Sequence, residues 1–165
     1  MNKRDIVIGL ILIAVVGVII YFVRRPQMVP LSTPSPTPSV QEKIQNKFNV
    51  QIPENVDQAE LNDVTGQGYS GLATRVYENG VFNLTVLADL PDLTGSQFYE
   101  AWVQRGNPGD TNYSLLALGR LQMVKGGYLL DYTSGTNYSD YNEVTVSLET
   151  TLGQLPEKVI LQGSF

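Results

Sequence analysis

Two patterns of apolar positions divide the chain. The first is an unbroken apolar run, "IVIGLILIAVVGVIIYFV", from Ile6 to Val23. As a helix it is about 27 Å long, close to the hydrocarbon thickness of a bilayer, and it has no polar face to turn to water. The pattern therefore predicts a single transmembrane helix over 6–23, with Tyr21 and Phe22 at an interfacial aromatic belt. A cleaved signal peptide is the rival reading. Its apolar core is shorter and small residues mark its cleavage site, whereas Arg24, Arg25 and Pro26 follow here.

The second pattern starts at Asp57, where short β-type runs alternate with turn signals at intervals of about 8–15 residues. In "SGLATRVYENGVFNLTVLADL" the pair Asn79-Gly80 predicts a tight hairpin. Phe82, Leu84 and Val86 then alternate with Asn83 and Thr85, so that one face is buried. "QFYEAWVQ" is apolar on both faces and reads as a central strand, closed by the turn "RGNPGD". "SLLALGRLQM" and "GGYLLDYTS" follow, split by Lys125-Gly126-Gly127. Val144, Val146 and Leu148 alternate in the next run, and Val159 and Leu161 share a side in the last. Seven or eight strands with few helix signals predict an all-β domain over 57–165, an antiparallel β-sandwich, with a closed barrel as the alternative.

Between the two patterns lies a stiff spacer over 24–40, with five prolines from Pro26 to Pro38 set among Ser and Thr. Fully extended, about 15 of its residues reach roughly 45 Å. A lead-in over 41–56 carries one short helix signal: Ser39 and Glu42 have capping-box spacing, and Ile44 and Phe48 fall on one face.

Charge assigns the sides of the membrane. Lys3, Arg4, Arg24 and Arg25 flank the apolar run, so the positive-inside rule gives nearly a tie. Beyond residue 40, seven Lys and Arg face fifteen Asp and Glu, a net of −8. The long acidic portion is accordingly placed outside the plasma membrane and the tail 1–5 in the cytoplasm. An acidic domain is also a poor partner for nucleic acid, whose phosphates need basic contacts.

The composition narrows the chemistry. The chain has no cysteine and no histidine, which excludes disulfides, thiolate metal sites and nucleophilic catalysis of the Ser-His or Cys-His kind. Only carboxylates, Lys, Tyr and hydroxyls remain as catalysts, and nothing singles out a pair of carboxylates for hydrolysis. The reading is a non-enzyme with no cofactor and no evident small-molecule substrate. Its partners are the membrane and an unidentified envelope protein or wall component.

The stretch "LADLPDLTGSQFYEAWVQRGNPGDTNYSLLALGRL" resembles the extracytoplasmic domain of the anti-sigma-K factor (RskA-type) family of bacteria. The resemblance rests on Leu90-Pro91 ending one strand, Gly95, Tyr99 and Trp102 in the next, the turn Pro108-Gly109, and Leu118-Gly119. "VTVSLETTLGQLPEKVILQGSF" resembles the family's closing strand pair, through Val144, Val146, Glu149, Gly153, Pro156 and Val159 to Gly163. It covers roughly Leu61 to Phe165 and implies a membrane-anchored surface domain that binds or senses in envelope regulation, with a structural or adhesive envelope protein of the same layout and no signalling role as the alternative. Members that restrain a sigma factor carry a cytoplasmic helical domain before the membrane helix. Here Met1 to Asp5 precede the apolar run, and they are too few to form one.

Trp102, on a central strand near Tyr99 and Val103, is expected to be a core anchor. Glu100 is expected to pair with Arg105 or Arg120. Asp131, Asp140 and Glu143 offer oxygens in the spirit of a Ca²⁺ site, but match no EF-hand spacing. Tyr132, Tyr138 and Tyr141 are a candidate exposed contact patch. Asn83, Asn112 and Asn137 each open an Asn-x-Ser/Thr sequon, and no glycan is expected on a bacterial strand residue such as Asn83.

Overall fold

In the computed structural model the described residues are 38–53 and 55–165. The apolar run 6–23 and most of the proline spacer lie outside them. Among the described residues, no helix is long and apolar enough to cross a membrane.

Helix α1 (Val40–Phe48) begins on the capping box that the sequence announces. Ser39 Oγ accepts from the Glu42 amide at 3.1 Å, and Glu42 Oε2 accepts from the Ser39 amide at 3.2 Å. Asn49 ends the helix in the left-handed region, at φ 55°. Nine strands follow: β1 (Asp57–Asp63), β2 (Ser70–Glu78), β3 (Val81–Asp89), β4 (Phe98–Arg105), β5 (Ser114–Arg120), β6 (Gln122–Val124), β7 (Gly127–Ser134), β8 (Glu143–Glu149) and β9 (Lys158–Ser164). Asn79 and Gly80 form the tight β2–β3 turn at φ 53° and 78°, with Glu78 opposite Val81.

The expected two-layer sandwich is replaced by one antiparallel sheet, ordered β5-β4-β8-β9-β1-β2-β3-β7-β6 and rolled into a nearly closed barrel. The closure has a local cause. β5 and β6 stand at opposite edges, yet only Leu121 separates them in the chain. The single segment 114–124 therefore pairs with β4 at one edge and β7 at the other. A bulge at Leu118 bends it: Ala101 faces Gly119 but Trp102 faces Ala117. Gly119 takes φ 127° there, and a Cβ on it would stand 4.0 Å from Leu130 of β7. The Leu121 amide bonds to the Tyr99 carbonyl at 2.9 Å. A bent strand thus removes an exposed edge, which a flat sheet would leave open to association.

The interior holds Leu61, Phe82, Leu84, Val86, Tyr99, Val103, Val144, Val146 and Leu161. β4 pairs on both sides and is buried on both faces, as its composition predicts. β9 departs from strict alternation. A register shift opposite Val146–Ser147 sends both Ile160 and Leu161 inward and leaves Val159 half-buried. Gly163 lies where β9 crosses β1, and a Cβ there would collide with the Glu60 carbonyl oxygen.

α1 lies against the outer face of the barrel, where Ile44 packs on Leu72 and Leu87. The helix belongs to the domain, whose first strand begins only at Asp57. Ile44 is fully buried, so Ile44→Ala is expected to destabilise the domain by about 2–4 kcal/mol. Chemical denaturation measures this, and an unchanged midpoint would show that α1 is dispensable.

Two long connections cross the open ends of the barrel. β3 and β4 are not neighbours, so segment 90–97 spans one end; β7 and β8 are not neighbours either, so segment 135–142 spans the other. Tyr99 lies at the first of these ends and Tyr141 at the second.

Candidate functional site

The Tyr141 end is closed by groups that satisfy one another. Tyr141 is buried, with its ring edge-on to Tyr138 at 5.4 Å, and Tyr138 meets Phe82 at 5.7 Å and Tyr132 at 6.2 Å. Tyr132, Tyr138 and Tyr141 thus come together, with Tyr132 and Tyr138 half-buried against the core. Arg75, itself buried, bonds Asp57 at 3.2 Å and the Tyr141 carbonyl at 2.8 Å, and its guanidinium stacks 4.0 Å from the Phe165 ring. Arg105 binds Asp140 at 2.5 Å, and Gln104 donates to Glu143 at 3.1 Å. The acids considered for calcium are therefore engaged separately: Asp140 by Arg105, Glu143 by Gln104, and Asp131 by the Thr85 hydroxyl at 2.7 Å. Among the described residues no three His, Cys, Asp or Glu converge.

The Tyr99 end is built differently. Three connections meet there: 64–69 after β1, 90–97 after β3 and 150–157 after β8. Each is held by bonds within the protein. The Tyr99 hydroxyl donates to the Pro91 carbonyl at 3.2 Å, and the Tyr128 hydroxyl accepts from the Leu93 amide at 3.2 Å. The two rings meet edge-on at 4.8 Å. Burial, then the neighbouring Tyr128, Tyr69 and Asp92, push the Tyr99 phenol up to about 12, so it stays a neutral donor at every physiological pH. Asp63 gathers the first connection, accepting from the Thr65 amide and hydroxyl at 2.6 Å each and from the Gly68 amide at 2.6 Å. Glu157 gathers the third, accepting from the amides and hydroxyls of Thr150 and Thr151 at 2.7–3.0 Å.

These fixed connections leave a groove of about 420 Å³ between them. Tyr69, Leu93, Leu148 and Ile160 supply apolar wall, while Gln67, Asp92, Thr94, Gln97 and Lys158 supply polar groups. Among the described residues, none of those five side chains has a hydrogen-bond or ion-pair partner within the protein. A second concavity of about 490 Å³ lies beside α1, over Leu72, Leu87 and Leu129. It is more apolar, and its acid Asp131 is already bonded to Thr85. The concavity beside α1 also holds Gln51, Thr74 and Lys125 without side-chain partners among the described residues, but only the groove at the Tyr99 end joins a concave surface to unpaired groups of both charges, Asp92 and Lys158, the combination that marks a ligand site.

Both carboxylates that gather the rim titrate far below the ordinary range. Burial pushes Asp63 up, but the bonds from Thr65, Gly68 and Tyr69 outweigh it and bring it to about 2. The Thr151 and Thr150 bonds bring Glu157 to about 2. A lowered folded value means that the stabilisation is complete above the unfolded value, near 4, and is lost as pH falls toward 2. The protection factors of the Thr65, Gly68, Thr150 and Thr151 amides, taken against the intrinsic rate at each pH, are expected to fall across that window, while the β4 and β8 amides remain protected. Uniform loss of protection would mean that the rim has no local transition of its own.

The residues that carry the family resemblance distribute along this end. Pro91 and Tyr99 line the groove, Leu90 is buried in the core, and Gly95 turns the crossover at φ 73°. Glu149, Gly153 and Pro156 belong to the β8–β9 connection and its root. Trp102, Gly119 and Gly163 lie away from the groove, at buried strand positions and the bulge.

Trp102 is 1 % exposed, as the sequence implies, but it does not point into the barrel. The pleat puts Tyr99, Ala101 and Val103 inside and Phe98, Glu100 and Trp102 on the opposite face. There its indole N–H donates to Ser147 Oγ at 2.7 Å, and that hydroxyl donates to Glu149. Glu149 is fully buried and also accepts from the Glu157 amide at 3.0 Å. Glu100 makes neither expected ion pair. Arg105 is held by Asp140, and the Arg120 guanidinium lies 3.7 Å from the Phe98 ring. Oε2 of Glu100 and Oε2 of Glu149 are both buried with no partner among the described residues. Burial, and then the charge of Glu149, raise the Glu100 carboxyl, with Arg120 opposing. The sequence shows the alternation that buries these acids but gives no sign that two carboxylates share one face.

No family model, no curated protein and no solved structure matches the chain.

Proposed function

We propose that the protein is a single-pass plasma-membrane protein that displays its barrel outside the cell as a binding or sensing module in envelope signalling, of the kind used to regulate sigma-factor activity. The observation that carries the binding role is the asymmetry of the barrel ends: charged and aromatic groups pair at the Tyr141 end, while Gln67, Asp92, Thr94, Gln97 and Lys158 stand uncommitted in the groove at the Tyr99 end. The apolar run 6–23, the proline spacer and the acidic domain support the anchored, outward placement. The resemblance of Leu90-Pro91, Gly95, Tyr99 and Trp102 to the anti-sigma-K factor family supports the signalling role. Nothing in this reading requires catalysis, and binding energy concentrated in one groove suits a receptor.

Photo-crosslinking in living cells tests the binding end. A photoreactive residue at Gln97 is expected to capture a discrete envelope component, and one at Gly80, on the opposite end, is expected to capture none. Equal capture at both positions would remove the groove from the account.

A further inference from the structure

We infer that the groove at the Tyr99 end takes a short peptide segment carrying both a free amine and a free carboxylate; this rests on the reading of the groove as the binding end. Its two charged groups have opposite signs and stand on different walls. Asp92 lies on the crossover 90–97, and Lys158 opens β9. Neither has an ion-pair partner among the described residues. A site with one free cation and one free anion is complementary to a ligand with one of each. Gln67, Thr94 and Gln97 line the same groove, and amides and hydroxyls that both donate and accept match a peptide backbone. A volume of about 420 Å³ suits a small ligand rather than a folded partner.

Competing ligand classes fit less well. A polyanion meets the net charge of −8 beyond residue 40. A glycan is commonly held by stacking on an open aromatic face. Here the Tyr99 ring is buried edge-on to Tyr128, and the Tyr69 ring packs against the barrel core.

The test uses the full chain in phosphatidylcholine nanodiscs and isothermal titration with the tripeptide Lys-Ala-Ala, its C-terminal amide, and chitotetraose. The free acid is expected to bind about tenfold more tightly than the amide. Lys158→Gln is expected to abolish that preference, and Lys125→Gln, beside α1, to preserve it, with thermal unfolding confirming that both variants fold. Equal binding of acid and amide, no binding of either, or a preference that survives Lys158→Gln overturns the peptide assignment. Chitotetraose binding that Gln97→Ala removes would overturn it in favour of a sugar while keeping the groove as the binding end. If no probe binds and Gln97 captures nothing in cells, the groove itself fails.

Discussion

Trp102→Ala is expected to destabilise the domain by about 3–5 kcal/mol, the usual cost of truncating a buried large aromatic. Two losses combine. The indole is 1 % exposed, so its removal leaves a cavity that β4, paired on both sides, cannot collapse to fill. Its N–H is also the donor to Ser147 Oγ at 2.7 Å, and Ser147 in turn orients Glu149. Trp102→Phe refills most of the volume without the donor, so it is expected to recover more than half of the loss. As the only tryptophan, Trp102 also reports directly: its emission should be blue-shifted and resistant to iodide. A readily quenched tryptophan and a silent alanine variant would place it at the surface.

Glu149 and Glu100 are expected to respond in opposite directions. Glu149→Ala removes the acceptor for the Ser147 hydroxyl and the Glu157 amide, leaving donors in a dry site, at a cost of about 3 kcal/mol. Glu100→Gln is expected instead to stabilise at neutral pH, by about 1–2 kcal/mol, because it removes a charge held against burial and against Glu149. The raised carboxyl fixes the pH dependence. Its folded form prefers the proton, so its favourable contribution is complete below the unfolded value, near 4, and declines as pH rises through the raised one. The gain from Glu100→Gln should accordingly grow between pH 4 and 8 and vanish at the acidic limit. Denaturation midpoints across that range measure it. A loss of stability at pH 8 would mean that ionised Glu100 has a partner after all.

Local patterns were readable from the sequence because they follow from neighbouring residues. The Asn79-Gly80 turn requires two left-handed residues, which that pair tolerates, and the Ser39–Glu42 spacing closes a capping box. The apolar character of β4 on both faces marked it as central. Closure was not readable. Whether nine strands form two sheets or one rolled sheet turns on Leu118 and Leu121, where a single bulge lets one segment serve both edges. An alternating apolar pattern is the same in either architecture. Pairings between distant residues were likewise hidden. Arg105 found Asp140 and not Glu100, because alternate strand residues face opposite sides and a crossover brings Asp140 to that end. The groove gave no local signal either. Gln67, Asp92, Gln97 and Lys158 come from three segments that only the barrel brings together, and each alone reads as an ordinary surface residue.

The placement of this domain is tested most directly by adding protease to intact protoplasts and probing for residues 57–165. The domain is expected to disappear while a short membrane-embedded fragment containing Ile6–Val23 survives, and permeabilising the membrane should change nothing further. A domain that resists protease until the membrane is opened would place the barrel in the cytoplasm and contradict an envelope-binding role.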